Sequence, residues 1–328
     1  ADTPGFLSKP IDFKTLRRPR KHPVIVYRLK QAIKAYLAEN QIDCVITDGL
    51  YSTELLFQIQ KLNQPICTIF HGDTHLNRRH LPRLSKYAKD PPLDKNWQRI
   101  FVSEQAKTYF EKRHPYLKQD NRVIENCIDS KEIRAQLYSR QDARRLFDTD
   151  SNSFVLGALG RLSKEKNLET LLLSLPKLAK TEYQCVLIGD GKEKDKLQHT
   201  ANTLGIRKRC NFMGYQAHGK QLLSGFDIFV MPSLTEGSPI ALLEAMASGV
   251  DILCSDIDTL RSMQLPDECY FRCQNADSLA QRINQRFAEE DSEKSDRLEK
   301  IASIVDTRYS LKRFYSEYRE AIQRICGT

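Results

Sequence analysis

Apolar residues in this chain gather in short runs, separated by stretches in which they recur every three or four positions. Short runs bounded by polar, glycine or proline positions read as strands, and the wider spacing reads as amphipathic helix. The first half places strands near 43–47, 65–70, 99–102 and 122–124, with helices over about 24–38, 51–62, 74–89 and 131–146. From residue 153 the alternation restarts, with strands near 154–159, 184–189, 210–213, 227–231, 251–255 and 269–272, and a last helix over about 310–325. Strand-helix alternation at this spacing builds parallel sheets that bind ligands at the carboxyl ends of their strands. The expectation is an α/β chain of two Rossmann-like domains, 1–150 and 151–307, facing across a cleft and joined at the polar run 148–152. Residues 308–328 add a terminal helix carrying Phe314 and Tyr318.

Composition fits two cores without choosing a function. The chain has 328 residues, 40% of them hydrophobic, and a domain takes roughly 100–200. No apolar run approaches the roughly 18 residues of a membrane span, and no charged-then-apolar leader precedes a small-residue cleavage site. The nine cysteines are odd in number and scattered through apolar segments, which suits buried, reduced thiols and a cytoplasmic location.

Charge changes the picture because it is uneven. Residues 1–150 hold 27 Lys+Arg against 18 Asp+Glu, and the remainder holds 24 of each, so the whole +9 excess lies in the first half. Clusters at Lys14, Arg17, Arg18, Arg20, Lys21 and at Arg28, Lys30, Lys34 suit an anionic membrane leaflet or an anionic acceptor, at about 1 kcal/mol per base near a surface. Solvated charge for solubility is the alternative. Nucleic acid is set aside, since no nucleic-acid motif is present and aromatics are not interleaved with the bases.

Residues 231–249 carry the densest chemistry. Ser238 is a natural N-cap and Pro239 a natural first helical residue, so free amides and a positive dipole end face whatever sits beside Glu236. That setting suits a phosphate. Glu244 falls about two turns into the helix, on roughly the face of Ile240, where it can accept from hydroxyls such as those of a ribose. Amides for a diphosphate beside carboxylates for sugar hydroxyls describe a nucleotide-sugar site. The bare spacing also fits an ordinary capped helix with one glutamate for the dipole and one for solvent.

Other segments add to it. Gly160-Arg161-Leu162-Ser163-Lys164-Glu165-Lys166-Asn167 follows an apolar strand and precedes a helix starting near Leu168, so two cations can aim at one departing diphosphate. Gly189 and Gly214 each end a strand, where backbone can approach a base or ribose; ordinary turns are the other reading.

In this order and spacing the segments resemble the retaining glycosyltransferases of the GT-B fold, family 4, also called glycosyl transferases group 1. The likeness is strongest from about residue 154 to 249. It implies that Arg161 and Lys166 grip the donor diphosphate with help from the amides of Gly237 and Ser238. It also implies that Glu236 holds hydroxyls of the transferred sugar and Glu244 the ribose, with Gly160, Gly189, Gly214 and Pro239 lining the donor site. Ile66-Cys67-Thr68-Ile69-Phe70-His71-Gly72 is similar to the family's strand ending in His-Gly, which puts His71 in the cleft near the donor sugar; a satisfied structural histidine is the alternative. Val123-Ile124-Glu125-Asn126-Cys127-Ile128-Asp129 resembles the stretch that ends the first domain, and the same likeness implies that the terminal helix of 308–328 packs back on that domain. The implied activity is metal-independent hexosyl transfer, needing no cofactor beyond a nucleotide sugar, with a uridine donor favoured over guanosine. The implied acceptor is a saccharide or an anionic lipid-linked saccharide in envelope polysaccharide or lipopolysaccharide synthesis, reached by peripheral contact with the inner membrane face.

Departures from the family pattern qualify this. Ala1 to Arg20 show no strand and glycine-rich turn, Cys127 stands for the usual glycine, Asp258-Thr259 for a Gly-Gly pair, and Asp251 for a common proline. A protein that binds nucleotide sugars without transferring them is therefore the second expectation. Asp256-Ile257-Asp258 imitates the metal site of the GT-A fold but follows the phosphate helix, where an early nucleotide-binding strand is needed. His71, His75 and His80 lack a carboxylate or cysteine partner for a metal. No dinucleotide fingerprint or P-loop is present.

Overall fold

The computed structural model describes residues 35–40, 42–49, 65–71, 97–113, 115, 121–149 and 153–327. The expected helices over 51–62 and 74–89, most of that over 24–38, the basic clusters up to Lys34, His75, His80 and linker residues 150–152 lie outside the described residues.

Four strands, β1 (Val45–Asp48), β2 (Ile66–Phe70), β3 (Trp97–Phe101) and β4 (Asn121–Val123), lie side by side in chain order, all parallel. Six more, β5 (Phe154–Leu159), β6 (Tyr183–Ile188), β7 (Cys210–Gly214), β8 (Ile228–Met231), β9 (Asp251–Ser255) and β10 (Tyr270–Phe271), form a second parallel sheet in the order β10-β9-β8-β5-β6-β7. The winding reverses between β5 and β8, and in open α/β sheets that point opens a crevice at the strand ends. The helices are α1 (Glu104–Arg113), α2 (Ser130–Gln136), α3 (Arg140–Leu146), α4 (Leu168–Ser174), α5 (Lys194–Thr203), α6 (Ile240–Ser248), α7 (Asp258–Arg261), α8 (Ala276–Ala288), α9 (Asp291–Arg308) and α10 (Leu311–Cys326).

Both faces of the second sheet are covered, which is why its strands are mostly apolar. Val155, Phe229 and Ile252 point into one core with Ile133, Phe147, Leu243, Met246 and Ile301. Their neighbours Leu156, Val230 and Leu253 point into the other, with Leu168, Leu171, Leu197 and Leu279. In the first domain Phe70 and Phe101 stack, and Phe110 packs tilted against both, at centroid distances of 4.7 to 5.1 Å, fastening α1 to the sheet.

Two expectations need correction here. The single helix over 131–146 is two helices. The Tyr138 amide leaves the helical pattern to donate to Gln221 O at 3.0 Å, and Ser139 Oγ accepts from the Asp142 amide at 3.1 Å, capping α3 afresh. By packing, both helices belong to the second domain, because Ile133, Ala143 and Phe147 sit in its core ahead of the boundary placed at 150. At the other end, α10 returns to the first domain, where Ala321 joins Cys67, Ile100 and Ile124 in one buried cluster. The chain crosses between domains twice, and the crossings touch: the Ile128 amide donates to Tyr309 O at 2.9 Å.

Every described cysteine is a free thiol. Burial pushes Cys67 and Cys269 up to about 12, which keeps them protonated and inert near neutral pH. Among the described residues no helix is long and apolar enough to cross a membrane.

Candidate functional site

At the end of β5 the chain turns through Gly160 at φ +145 and runs beside the end of β6. The Gly160 amide donates to Ile188 O and the Leu162 amide to Asp190 O, both at 2.9 Å. This explains Gly189. A Cβ there would stand 1.9 Å from Gly160 O, so the close approach that Gly189 permits is between two loops of the protein. Gly160 and Gly214, by contrast, face open space.

One turn of 3₁₀ helix, Lys164–Lys166, follows, and Asn167 ends it in the left-handed region at φ 48. Asn167 Nδ2 donates to Pro232 O at 3.1 Å, and the Leu234 amide donates to Glu165 O at 2.8 Å. These bonds draw the 232–237 loop against Lys166. Lys166 Nζ lies 2.7 Å from Glu236 Oε1, and Ser233 Oγ donates to the same oxygen at 2.6 Å. Thr259 Oγ1 holds the Glu236 carbonyl at 2.9 Å. Glu236 is thus fixed from three sides, with its side chain 9% exposed, and Oε2 receives no donor from the described residues. Arg161, exposed, lines one recess with Lys166 and Gly160 at the ends of β5 and β8.

Beyond Glu236 the helix start differs from expectation. Pro239, at φ −80 and ψ 87, occupies the cap position, α6 begins at Ile240, and no side chain caps it. The Ser238 hydroxyl lies one residue too early, since Pro239, at ψ 87, is not yet helical. The consequence is more free backbone: among the described residues, the amides of Gly237, Ser238, Ile240 and Ala241 find no acceptor. Glu244 stands one turn past Ile240, not two turns into the helix, and is half-buried on the same side. Burial pushes its carboxyl above the usual range, with Lys220 opposing, and no hydrogen bond within the described residues satisfies it.

A cleft of about 670 Å³ opens in front of Glu236 and Gly237. One wall is the loop 234–237 with residues 257–259; the other is α1 of the first domain, from Ser103 to Lys112. His71 lies outside these lining residues, with Nε2 2.8 Å from Asp48 Oδ1 at the carboxyl ends of β2 and β1. Asp256 Oδ1 accepts from the Cys273 amide at 2.8 Å, joining the ends of β9 and β10, and no group of three metal-ligating side chains occurs among the described residues. Sequence reasoning missed Ser233, Asn167 and Thr259, whose hydrogen bonds place the charged pair. A serine three residues before Glu236 and an asparagine ending a charged turn were the available signals. It also missed α1, which carries no motif.

Residues 139–304 match the family described as Glycosyl transferases group 1, which is half of the chain. Over 141 residues the chain is 28% identical to the UDP-Gal:alpha-D-GlcNAc-diphosphoundecaprenol alpha-1,3-galactosyltransferase of Escherichia coli, covering 42% of this chain and 36% of that protein. The aligned stretch thus spans little more than a third of that relative's length. A glycosyltransferase from Rickettsia africae superposes with a TM-score of 0.81 at 18% identity, covering 94% of this chain and 83% of that one. Anabaena Alr3699/HepE in complex with UDP superposes with a TM-score of 0.76 at 18% identity, covering 92% and 82%.

Proposed function

This chain belongs to the glycosyl transferases group 1 family and has the GT-B fold, and from that premise we propose that it transfers a sugar from a nucleotide diphosphate sugar to a saccharide acceptor. The observation that carries the reading is the Lys166–Glu236 pair, set between the open turn at Gly160 and the unpaired amides of 237–241. Lys166 has three donors and spends one on Glu236, leaving two for phosphate oxygens. Glu236 keeps Oε2 for a sugar hydroxyl. Cations and amides preset around the departing diphosphate stabilise charge that grows in the transition state, where they lower the barrier most.

The finer reading is a UDP-sugar donor, retention of configuration, family 4 membership and independence of metal. UDP is favoured because HepE is described with UDP and the Escherichia coli relative is named for UDP-Gal. Retention by front-face attack, assisted by the leaving phosphate, is taken from the likeness to the retaining group, with Glu236, its Oε1 held by Lys166 and Ser233, positioning the sugar. Arg161 and Lys166 serve where a metal would otherwise take the charge. The acceptor is a lipid-linked or envelope saccharide by analogy with the Escherichia coli relative, whose name specifies a diphosphoundecaprenol-linked one. That role puts the protein on the inner face of the cytoplasmic membrane.

The test is a transfer assay with UDP-sugars and crude lipid acceptors, with and without EDTA. Glu236→Ala and Lys166→Ala are expected to lower turnover by about 10²-fold or more, the scale of one preorganised electrostatic partner. Near-native rates in either variant would overturn the site. Activity lost in EDTA and restored by magnesium would overturn metal independence, and UDP binding without turnover would select a binding protein.

A further inference from the structure

The wall of the cleft that faces the donor loop is α1, and its chemistry is specific. Gln105 lines the cleft, and its Oε1 is buried without any hydrogen-bond partner. A buried amide oxygen left unmatched costs about 1–3 kcal/mol, so its persistence beside a cleft calls for a donor supplied from outside the protein. Seven residues on, Lys112 borders the same cleft, exposed and without an acidic partner among the described residues. Seven helical residues turn through nearly two full circles, so Gln105 and Lys112 share a face about 10 Å apart. Lys112 is the one cation among the described cleft residues. Of the carboxylates there, Glu104 has Lys107 at 3.6 Å, Glu236 is held by Lys166, and Asp258 lies across the gap at the start of α7.

Resting on the transferase reading above, we propose that α1 selects a phosphorylated saccharide acceptor, with Gln105 Oε1 accepting from a hydroxyl of the acceptor sugar and Lys112 holding its phosphate. The donor phosphates have their own partners on the opposite wall, in Arg161, Lys166 and the amides of 237–241. Lys112 is therefore left for an anion carried by the second substrate. The 10 Å spacing sets the phosphate one to two sugar lengths from the hydroxyl that Gln105 reads. Ser103, by contrast, is committed to α1 itself, with Oγ accepting from the Ala106 amide at 3.2 Å.

The test uses the full chain saturated with UDP and titrates glucose, galactose, mannose and N-acetylglucosamine, each as the free sugar and as its 1-phosphate, by calorimetry. At least one 1-phosphate is expected to bind about tenfold more tightly than its free sugar. Lys112→Ala should erase that preference and Lys112→Arg should keep it, while Gln105→Leu should weaken the sugar and its phosphate alike. UDP affinity should be unchanged in all three variants. No binding of any 1-phosphate, a preference that survives Lys112→Ala, or a parallel loss of UDP affinity in Lys112→Ala would each overturn the assignment. Failure of the wild-type protein to bind UDP would instead sink the donor reading, and this one with it.

Discussion

Two glutamates eight residues apart meet different surroundings. Glu236 has one oxygen saturated by Lys166 and Ser233, which fixes the direction of the other. Glu244 has no such partners, and burial raises its carboxyl above the usual range. A carboxyl that must be ionised to accept from ribose hydroxyls loses affinity as the pH falls through its pKa. UDP binding by this protein is therefore expected to weaken on acidification while the pH is still above 4.5, the ordinary value for a glutamate. Glu244→Gln should bind UDP about tenfold more weakly near neutral pH, the scale of one hydrogen bond to a charged group, and should lack that acid limb. Titration of UDP affinity between roughly pH 4.5 and 7.5 measures both. An unchanged limb in the variant would remove Glu244 from the ribose.

At the scale of elements, the site is made by loops that bond to one another across strand ends. The β5 and β6 loops are joined through Gly160 and Gly189 so closely that no side chain fits between them. Gly189→Ala places a methyl 1.9 Å from Gly160 O at φ +140, a conformation that alanine resists. The expected cost is about 3 kcal/mol of folding stability, read from the urea midpoint. UDP affinity should fall too, because Arg161 and Lys166 ride on the displaced loop; a variant as stable as wild type would refute the crowding. Strands were legible from their apolar runs, and β5 and β9 match the expected spans residue for residue. The break at 137–139 was not legible, because the bond that opens it goes to Gln221, far along the chain. Nor was the true cap of α6, where Ser238-Pro239 spells a cap and first turn but the chain shifts both by one residue.

The whole molecule is two lobes tied at their double crossing. Arg308 forks onto both oxygens of Glu125 at 2.8 and 2.6 Å, and Arg313 Nη2 donates to the Glu125 carbonyl at 2.9 Å. The bond to Glu125 raises the Arg308 guanidinium, with burial opposing, so Arg308 stays charged throughout the neutral range. This clamp sets how α1 meets the donor loop. Glu125→Ala is expected to lower transfer by a factor of about 5 to 30, the scale of one or two kcal/mol, while leaving UDP affinity within twofold. The reason is that the proposed UDP contacts belong to one lobe and the proposed transfer needs both walls. Small-angle scattering should show a wider spread of lobe orientations. Equal loss of UDP affinity would place the effect inside the donor lobe.

Sequence alone determined the α/β class, the two sheets and most strands, because burial on both faces of a parallel sheet leaves continuous apolar runs that survive without any partner being known. It also named Arg161, Lys166, Glu236 and Glu244, since cations after one strand and carboxylates around one helix start are local patterns. Tertiary structure decided what those residues meet. The meeting of Lys166 with Glu236 spans 70 positions, His71 meets Asp48 across two strand ends, and α1 faces the loop 234–237 only because the lobes fold toward each other. Contacts of that separation depend on how sheets pack and loops cross, and no periodicity along the chain records them.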